Sequence, residues 1–586
     1  MSGSHHDHQH SCATRKRPEA RVMGIALNRR RILQGLLASS AGVLSPASRL
    51  LAMQSTAGYP RLSSTKSDTM LAGAQETTAE TTSGKVSGYR DHGVSVFKGI
   101  PYGASTAGAG RFKRPRRPEP WSGTRSCRAF GPQSPQAARS IWDNDEEGFL
   151  FQWDFGRNSE DCLRLNVWTP GLDGKKRPVM FWIHGGGFAV GSGNELRMFD
   201  GVNMANHGDV LLITINHRLN VVGYLNLAAY GSEYDDSANA GMLDIVQALT
   251  WVRENIAQFG GDPSNVTVFG QSGGGGKICT LMAMPAAQGL FHKAIVESGS
   301  MLSIGTEEDS RALAAGVMQK LGLGPTQVSK LQEMPYADLE FATRVVLPQV
   351  TPTGIMSFRN LGRRMGLAPI VDGRNVARQP FEPDAPASVS AIPLLVGTTL
   401  NEFTNGINHP DAFAMTEIEM QAKVEQAIPG HGTEVVASYR QLYPNSNPFQ
   451  LWSIVATSGV RESALVMAER KATQPAPVYC YQFNWQTPIL DGRPMAFHCS
   501  EMPFVFDNAE LCSHMTGGGE AAQVLASRVS TAWMNFAKTG NPNHAGLPHW
   551  KRFNVADKTT MIFDDRCEAK DNLDTAQQTT IQKARG

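Results

Sequence analysis

A serine, a glutamate and a histidine, far apart in this chain, have the types and the order needed for nucleophilic acyl chemistry. Ser272 lies in Gly270-Gln271-Ser272-Gly273-Gly274, between the β-branched and aromatic run Asn265 to Phe269 and a helix that the pattern starts at Gly273. A strand that becomes a helix within so few residues holds the serine in a strained conformation. Its hydroxyl then projects into open space near the unpaired N–H groups of the helix start. Among 58 glycines the pentapeptide alone is a weak signal, and a glycine-rich turn explains it equally well. The strand before it and the helix after it give it weight.

A second stretch supplies what such a serine needs. His184-Gly185-Gly186-Gly187-Phe188 follows the apolar run Val179 to Ile183, which reads as a buried strand. Acyl transfer places negative charge on a carbonyl oxygen, and backbone N–H groups held by a glycine loop can meet that charge without reorganising. Gly186, Gly187 and Gly273 are the candidate donors. An isolated triple glycine is more often a flexible turn, but its pairing with a downstream GxSxG in strand context is hard to obtain by accident.

A serine hydroxyl also needs a base to take its proton and a carboxylate to orient that base. Two later segments read as strands running into polar loops. Ile392 to Val396 leads to Glu402, and Val478 to Phe483 leads to His498. Glu402 is therefore the expected acid and His498 the expected base. His409, His431, His514, His544 and His549 also follow the serine, and the residue pattern alone leaves that choice open.

Several blocks taken together are highly specific. Phe97-Lys98-Gly99-Ile100-Pro101-Tyr102, Glu160 to Val167, His184 to Phe188, Asn216-His217-Arg218-Leu219, and Phe259 to Pro263 running into the serine turn resemble the type B carboxylesterases. These form the cholinesterase-like branch of the α/β-hydrolases, which includes bacterial para-nitrobenzyl esterases. The likeness runs from about Thr81 to the C-terminus. It implies a mostly parallel central sheet with helices on both faces and long insertions over the active site. It also puts Glu402 at the family's acid position and His498 at its histidine position. The implied activity is hydrolysis of small-molecule carboxylic esters through an acyl-enzyme, with no cofactor and no metal. A lipase or amidase on the same fold is the alternative, and an intact serine, glutamate and histidine argue against a non-catalytic, neuroligin-like adhesion protein.

The chain departs from the family pattern in places. Gln271 precedes the serine where relatives often have glutamate, which removes a negative charge from the acyl pocket and disfavours choline esters. Phe403 follows Glu402 where glycine is usual, so an aromatic wall is expected near the triad. Ser134 stands at the position that would pair with Cys162, so that disulfide is expected to be absent. Arg111 and Glu160 fall where relatives have a structural ion pair. Asp244, in the amphipathic run Met242 to Ile256, is expected on a helix packed near the serine turn.

The 586 residues are 41% hydrophobic and 18% charged, enough to bury a large core, and a net charge of +2 gives no sign of nucleic-acid binding. Triad residues drawn from distant segments argue for one elaborated domain over residues 83–586. Residues 54–82 are rich in Ser, Thr, Ala and Gly and read as a linker. Within residues 1–53, Asn28-Arg29-Arg30-Arg31-Ile32-Leu33-Gln34 precedes a small-residue apolar stretch from Gly35 to Ala52. This resembles a twin-arginine export signal and implies a periplasmic protein. Ser39, Ser40, Ser45, Pro46, Ser48 and Arg49 argue against a stable membrane span there. A start at Met23 is also compatible, and His5 to His10 reads as a disordered tail more readily than a metal site. The eight cysteines include no tandem CxxC pairs, and any pairing among Cys480, Cys512 and Cys567 stays open.

Overall fold

Short apolar runs bounded by glycine, proline and polar clusters become the strands of an 11-stranded sheet in a computed structural model that describes residues 77–137, 144–154, 156–350 and 366–585. Leu211–Ile215, Arg177–Ile183, Gly261–Gln271, Lys293–Glu297, Leu394–Thr399, Val478–Phe483 and Thr560–Phe563 run parallel as successive neighbours. Strands at both margins pair antiparallel. Alternate side chains go to opposite layers. Val179, Phe181 and Ile183 join one core cluster, while Met180 and Trp182 join another. Val266 and Val268 face the first, and Phe269 faces the second. Both faces are therefore buried, which is why these strands read as continuous apolar runs.

The topology selects one place for chemistry. After Arg177–Ile183 the chain goes to one side for Leu211–Ile215 and then to the other for Gly261–Gln271. Open parallel sheets place their ligand crevice outside the carboxyl ends of the strands at such a switch. Register brings the ends together: Ile183 pairs with Gly270, and Glu297 pairs with both Gln271 and Gly397. The loops leaving these ends carry His184 to Gly187, Ser272, Ser298 and Glu402.

A third layer covers that edge. The helices Glu417–Ala427, Gly432–Leu442 and Pro448–Ala472 enclose a smaller cluster built on Met420, Val424, Val435, Tyr439 and Leu451. Thr416 with Glu419, and Asn447 with Gln450 and Pro448, form capping boxes that satisfy the first N–H groups and fix where two of these helices begin. Pro448–Ala472 is also tied to the loop after Leu394–Thr399, because Asn401 Nδ2 donates to Ser453 Oγ at 3.0 Å.

Several boundaries differ from the sequence reading. The strand Gly261–Gln271 starts before Asn265, since Gly261 pairs with Arg177 across a register shift that accommodates Gly260 to Pro263. The strand read as Ile392 to Val396 is Leu394–Thr399, because the ring of Pro393 removes the N–H that would extend it backward. The helix read as Met242 to Ile256 is Ala240–Asn255. Part of the segment read as linker is ordered. Thr78–Thr81 pairs antiparallel with Gly84–Ser87 and buries Ala79 and Thr81. Its Ser/Thr-rich composition conceals an alternation of burial, with Ala79 and Thr81 inward and Thr78 and Glu80 outward, so the linker reading fails for these residues. The leader, its arginines and linker residues 54–76 lie outside the described residues. The seven cysteines within them are free thiols, Cys162 included. Ser134 Oγ instead accepts the Leu219 N–H at 3.2 Å. No helix among the described residues is long and apolar enough to cross a membrane.

Candidate active site

Ser272 stands between the end of Gly261–Gln271 and the start of Gly273–Met282, with φ 57° and ψ −124°. A non-glycine residue at such a backbone angle costs on the order of 1–3 kcal/mol and persists only where its surroundings impose it. Here they do. Ser272 N donates to Glu297 O on the neighbouring strand at 2.8 Å, and Ser272 O accepts from Gly276 N at 3.1 Å. A Cβ added at Gly273 would lie 2.3 Å from Gly187 O, so the glycine lets the helix start and the His184 to Gly187 loop pack backbone to backbone. Gly186 and Gly187 both have positive φ, 77° and 62°. Among the described residues the N–H groups of Gly186, Gly187 and Gly273 donate no hydrogen bond, which is the condition of donors open to an incoming anion.

The histidine expected from the sequence is joined to the expected acid. His498 Nδ1 lies 2.5 Å from Glu402 Oε2, and His498 N donates to Glu402 O at 2.9 Å. Glu402 Oε1 accepts the Thr399 N–H at 3.1 Å. Both side chains are buried. With Nδ1–H committed to the carboxylate, Nε2 presents a lone pair, the state a general base requires. The five rival histidines are not part of this pair. His409 lines an outer cavity, and His544 Nε2 faces Arg528 O at 3.0 Å.

Gln271 was visible in the sequence only as a missing charge, yet its carboxamide reaches the base. Gln271 Nε2 lies 3.1 Å from His498 Nε2 and 3.3 Å from Nδ1, while Cys499 Sγ donates to Gln271 Oε1 at 3.3 Å. Among the described residues no hydrogen bond joins the Ser272 hydroxyl to His498; the Gln271 amide occupies that nitrogen in this arrangement. The aromatic wall expected from Phe403 is present. Its ring lies on the imidazole of His498 with centroids 3.9 Å apart.

Phe403 borders two spaces. A cavity of about 60 Å³ is lined by Ser272, Gly187, Gly273 and the segment Ser298 to Met301, and closed by Val460 and Ser463. An open cavity of about 690 Å³ lies on the other side of Phe403, with Phe449, Trp452 and Met415 as its large apolar lining and Asp411, Glu419 and Lys423 among its polar residues. One helix, Pro448–Ala472, thus contributes to both, with Trp452 and Val460 about 12 Å apart along its axis at 1.5 Å per residue. Nothing in the local sequence marks Val460 or Ser463 as site residues, because their place depends on how this helix lies across the sheet edge.

The other singled-out polar residues are architectural. Arg111 Nε donates to Glu160 Oε2 at 2.7 Å, and its Nη1 donates to Leu331 O and Met334 O at 2.6 Å. Asp244 is fully buried and accepts from the backbone N, Nε and Nη2 of Arg218 at 3.0, 2.8 and 2.6 Å. Both oxygens are taken up by a structural partner, as a buried carboxylate requires.

This sheet is that of the α/β-hydrolases, and a serine at a strand-to-helix turn beside a glycine loop and a glutamate–histidine pair is the arrangement of a serine hydrolase. Known proteins agree. The family model described as "Carboxylesterase family" matches residues 75–581. A para-nitrobenzyl esterase of Bacillus subtilis is 34% identical over 509 residues, covering 86% of this chain and 98% of that protein. Among solved structures, an esterase of Clostridium hathewayi described as able to hydrolyse aliphatic aromatic polyesters superposes with a TM-score of 0.77. It is 36% identical and covers 88% of this chain and 99% of its own. A carboxylesterase of Geobacillus stearothermophilus gives a TM-score of 0.71 at 34% identity, covering 86% and 100%. The chain belongs to the carboxylesterase family. It is a carboxylic ester hydrolase, and a serine, histidine and glutamate triad is typical of that family.

Proposed function

We propose that Ser272, His498 and Glu402 are the triad of this carboxylesterase and that Gly186, Gly187 and Gly273 form its oxyanion hole. The observation that carries this reading is the convergence, at the carboxyl ends of adjacent parallel strands, of a strained serine, three uncommitted N–H groups and a buried glutamate–histidine pair. Ser272 Oγ bonds to the ester carbonyl carbon as His498 Nε2 takes its proton, and the N–H groups meet the oxyanion. His498 then returns the proton to the departing alcohol oxygen as the carbon–oxygen bond breaks, leaving an acyl group on Ser272. Water repeats the sequence and releases the acid. Glu402 holds the imidazole in the working tautomer and stabilises the imidazolium. For the first proton transfer the Gln271 amide must yield His498 Nε2 to the serine, a small movement of a kind common between resting and substrate-bound sites.

The cavities support a division of the ester into two halves. The alcohol oxygen must lie at His498 to receive its proton, and Phe403 lies on His498 at the edge of the open cavity. The alcohol half therefore occupies the open side, and the acyl half stays with Ser272 in about 60 Å³. A cavity of about 150 Å³ admits benzene, so the much smaller inner space suits a short acyl chain. A long-chain acyl group exceeds the inner space, and amides have worse leaving groups, so lipase and amidase activity fit this reading less well. Ser272→Ala tests the assignment. The folded variant is expected to lose about 10⁴-fold or more in turnover of short-chain esters, and a smaller loss would move the nucleophile elsewhere.

For location, Arg29 to Gln34 and the small-residue stretch to Ala52 support a twin-arginine leader over residues 1–53. With what remains of the linker after it, this would deliver the carboxylesterase domain folded to the periplasm. Replacing Arg29, Arg30 and Arg31 by lysine keeps the charge but removes the planar guanidinium fork. The active enzyme should then remain in the cytoplasm, and its arrival in the periplasm would refute this route.

A further inference from the structure

The helix that follows the serine, Gly273–Met282, contains one charged side chain, Lys277, and it is fully buried. A lysine in that position carries a desolvation cost that an apolar methionine, one atom shorter, would not. Its partners are two backbone carbonyls of the glycine loop. Lys277 Nζ donates to His184 O at 3.0 Å and to Gly187 O at 2.8 Å.

Those two carbonyls bracket the segment that carries two of the three oxyanion donors. Between them, Gly186 O accepts from Val190 N at 3.1 Å, and Gly185 O faces His184 Nδ1 at 3.0 Å. A trans peptide points each N–H away from the carbonyl it shares a plane with, so Gly185 O and Gly186 O set the directions of the Gly186 and Gly187 N–H groups, while Lys277 holds the peptide planes immediately before and after them. Consecutive glycines have no side chains to hold them and the greatest backbone freedom to lose. Lys277 anchors the peptides on either side of the two donors, and it does so from the helix that Ser272 caps.

We propose that Lys277 is a positioning residue for the oxyanion hole, clamping both ends of the Gly186-Gly187 segment to the nucleophile's own helix so that donors and serine keep a fixed spacing. The proposal rests on Gly186 and Gly187 being oxyanion donors. Burial draws the Lys277 ammonium down to about 7, with Glu195 opposing that shift. The other groups facing it are the neutral imidazole of His217, stacked on His184 with centroids 4.7 Å apart, and the ring of Phe188 at 5.5 Å. An amine keeps two N–H donors after losing its proton, so the clamp holds in both states.

The test compares Lys277→Met and Lys277→Gln in the full enzyme. Each is measured for kcat and KM on short-chain esters, for binding of a trifluoromethyl ketone that forms a tetrahedral oxyanion on the serine, and for binding of the product alcohol. Loss of one oxyanion donor costs about 10²–10³ in turnover, and a loosened pair should cost Lys277→Met about tenfold to a hundredfold in kcat. KM and product affinity should stay within twofold, and ketone affinity should fall in proportion to kcat/KM. Lys277→Gln, whose amide can serve both carbonyls, should fall between the two. A kcat for Lys277→Met within twofold of wild type overturns the proposal, as does an equal loss of product and ketone affinity. If Lys277→Met does not fold, the same comparison of ketone against product in Lys277→Gln decides, and equal losses there overturn it. Failure of the underlying site reading is distinguishable, because active Ser272→Ala would reveal it independently.

Discussion

The two spaces that meet at Phe403 are built from different parts of the fold. The inner one, about 60 Å³, is bounded by strand ends, the first turn of a buried helix and glycine backbones in contact. The outer one, about 690 Å³, is bounded by the loop from Phe403 to Met415 and by the exposed ends of covering helices. The first has little slack, since register and backbone packing fix every wall except Met301, Phe403, Val460 and Ser463. The second can change shape without disturbing the sheet. On the proposed reading, chemistry and acyl selection sit on the rigid side and the alcohol half on the adaptable side, with one aromatic ring as the partition.

The largest effect is expected where the rigid side is broken. His498→Ala should lose about 10⁴-fold or more in turnover, close to Ser272→Ala, because triad members act as a unit. Glu402→Gln should fold and be strongly impaired, since a carboxamide cannot stabilise the imidazolium. Near-normal turnover in folded Glu402→Gln would place the acid elsewhere.

Removing the partition gives the next effect. Phe403→Gly opens the inner space into the outer one and should widen acyl selection. At about 0.8 kcal/mol per buried methylene, accommodating two more methylenes shifts the kcat/KM ratio of hexanoate to butyrate esters about tenfold toward the longer chain. An unchanged ratio would mean that the acyl group does not lie against Phe403. The residue is half exposed, so folding should survive.

The smallest effect concerns the rigid side's buried carboxyl. Glu297, whose carbonyl accepts the Ser272 N–H, is fully buried, and its Oε1 accepts Trp533 Nε1 at 2.5 Å. Burial pushes its carboxyl up to about 8, against the lowering effect of that hydrogen bond. The folded state therefore holds a proton that the unfolded state has released above its ordinary value near 4.5. This stabilisation is complete below that value and disappears as pH rises through about 8. Glu297→Gln keeps an acceptor for Trp533 and removes the titration. Its Tm relative to wild type should rise from pH 5 to pH 8 and then level off, and a difference independent of pH would show that Glu297 is ionised in the fold.

Much of this was legible in the chain. Val478 to Phe483 is a strand at the residues read for it, and the helix after the serine starts at Gly273 as read, because both are bounded by strong local signals. Glu402 and His498 were found by chain order and resemblance, and they meet at 2.5 Å. What the sequence concealed depends on contacts between distant segments. Gln271 reaches His498 across 227 positions, and Val460 and Ser463 face the serine only because of how a long helix crosses the sheet edge. Lys277 left one signal that could have been used, a lone charge in an otherwise apolar helix, since lysine is almost never fully buried without a partner.

The most direct measurement is of the covalent intermediate. The enzyme is mixed with an activated butyrate ester, quenched in acid within the first turnover, digested, and mapped by mass spectrometry. One butyryl group should appear on the peptide containing Ser272, with a matching burst of released alcohol, and both should vanish in Ser272→Ala. A butyryl group on Cys499 or on another serine, or turnover without any acylated peptide, would contradict the account.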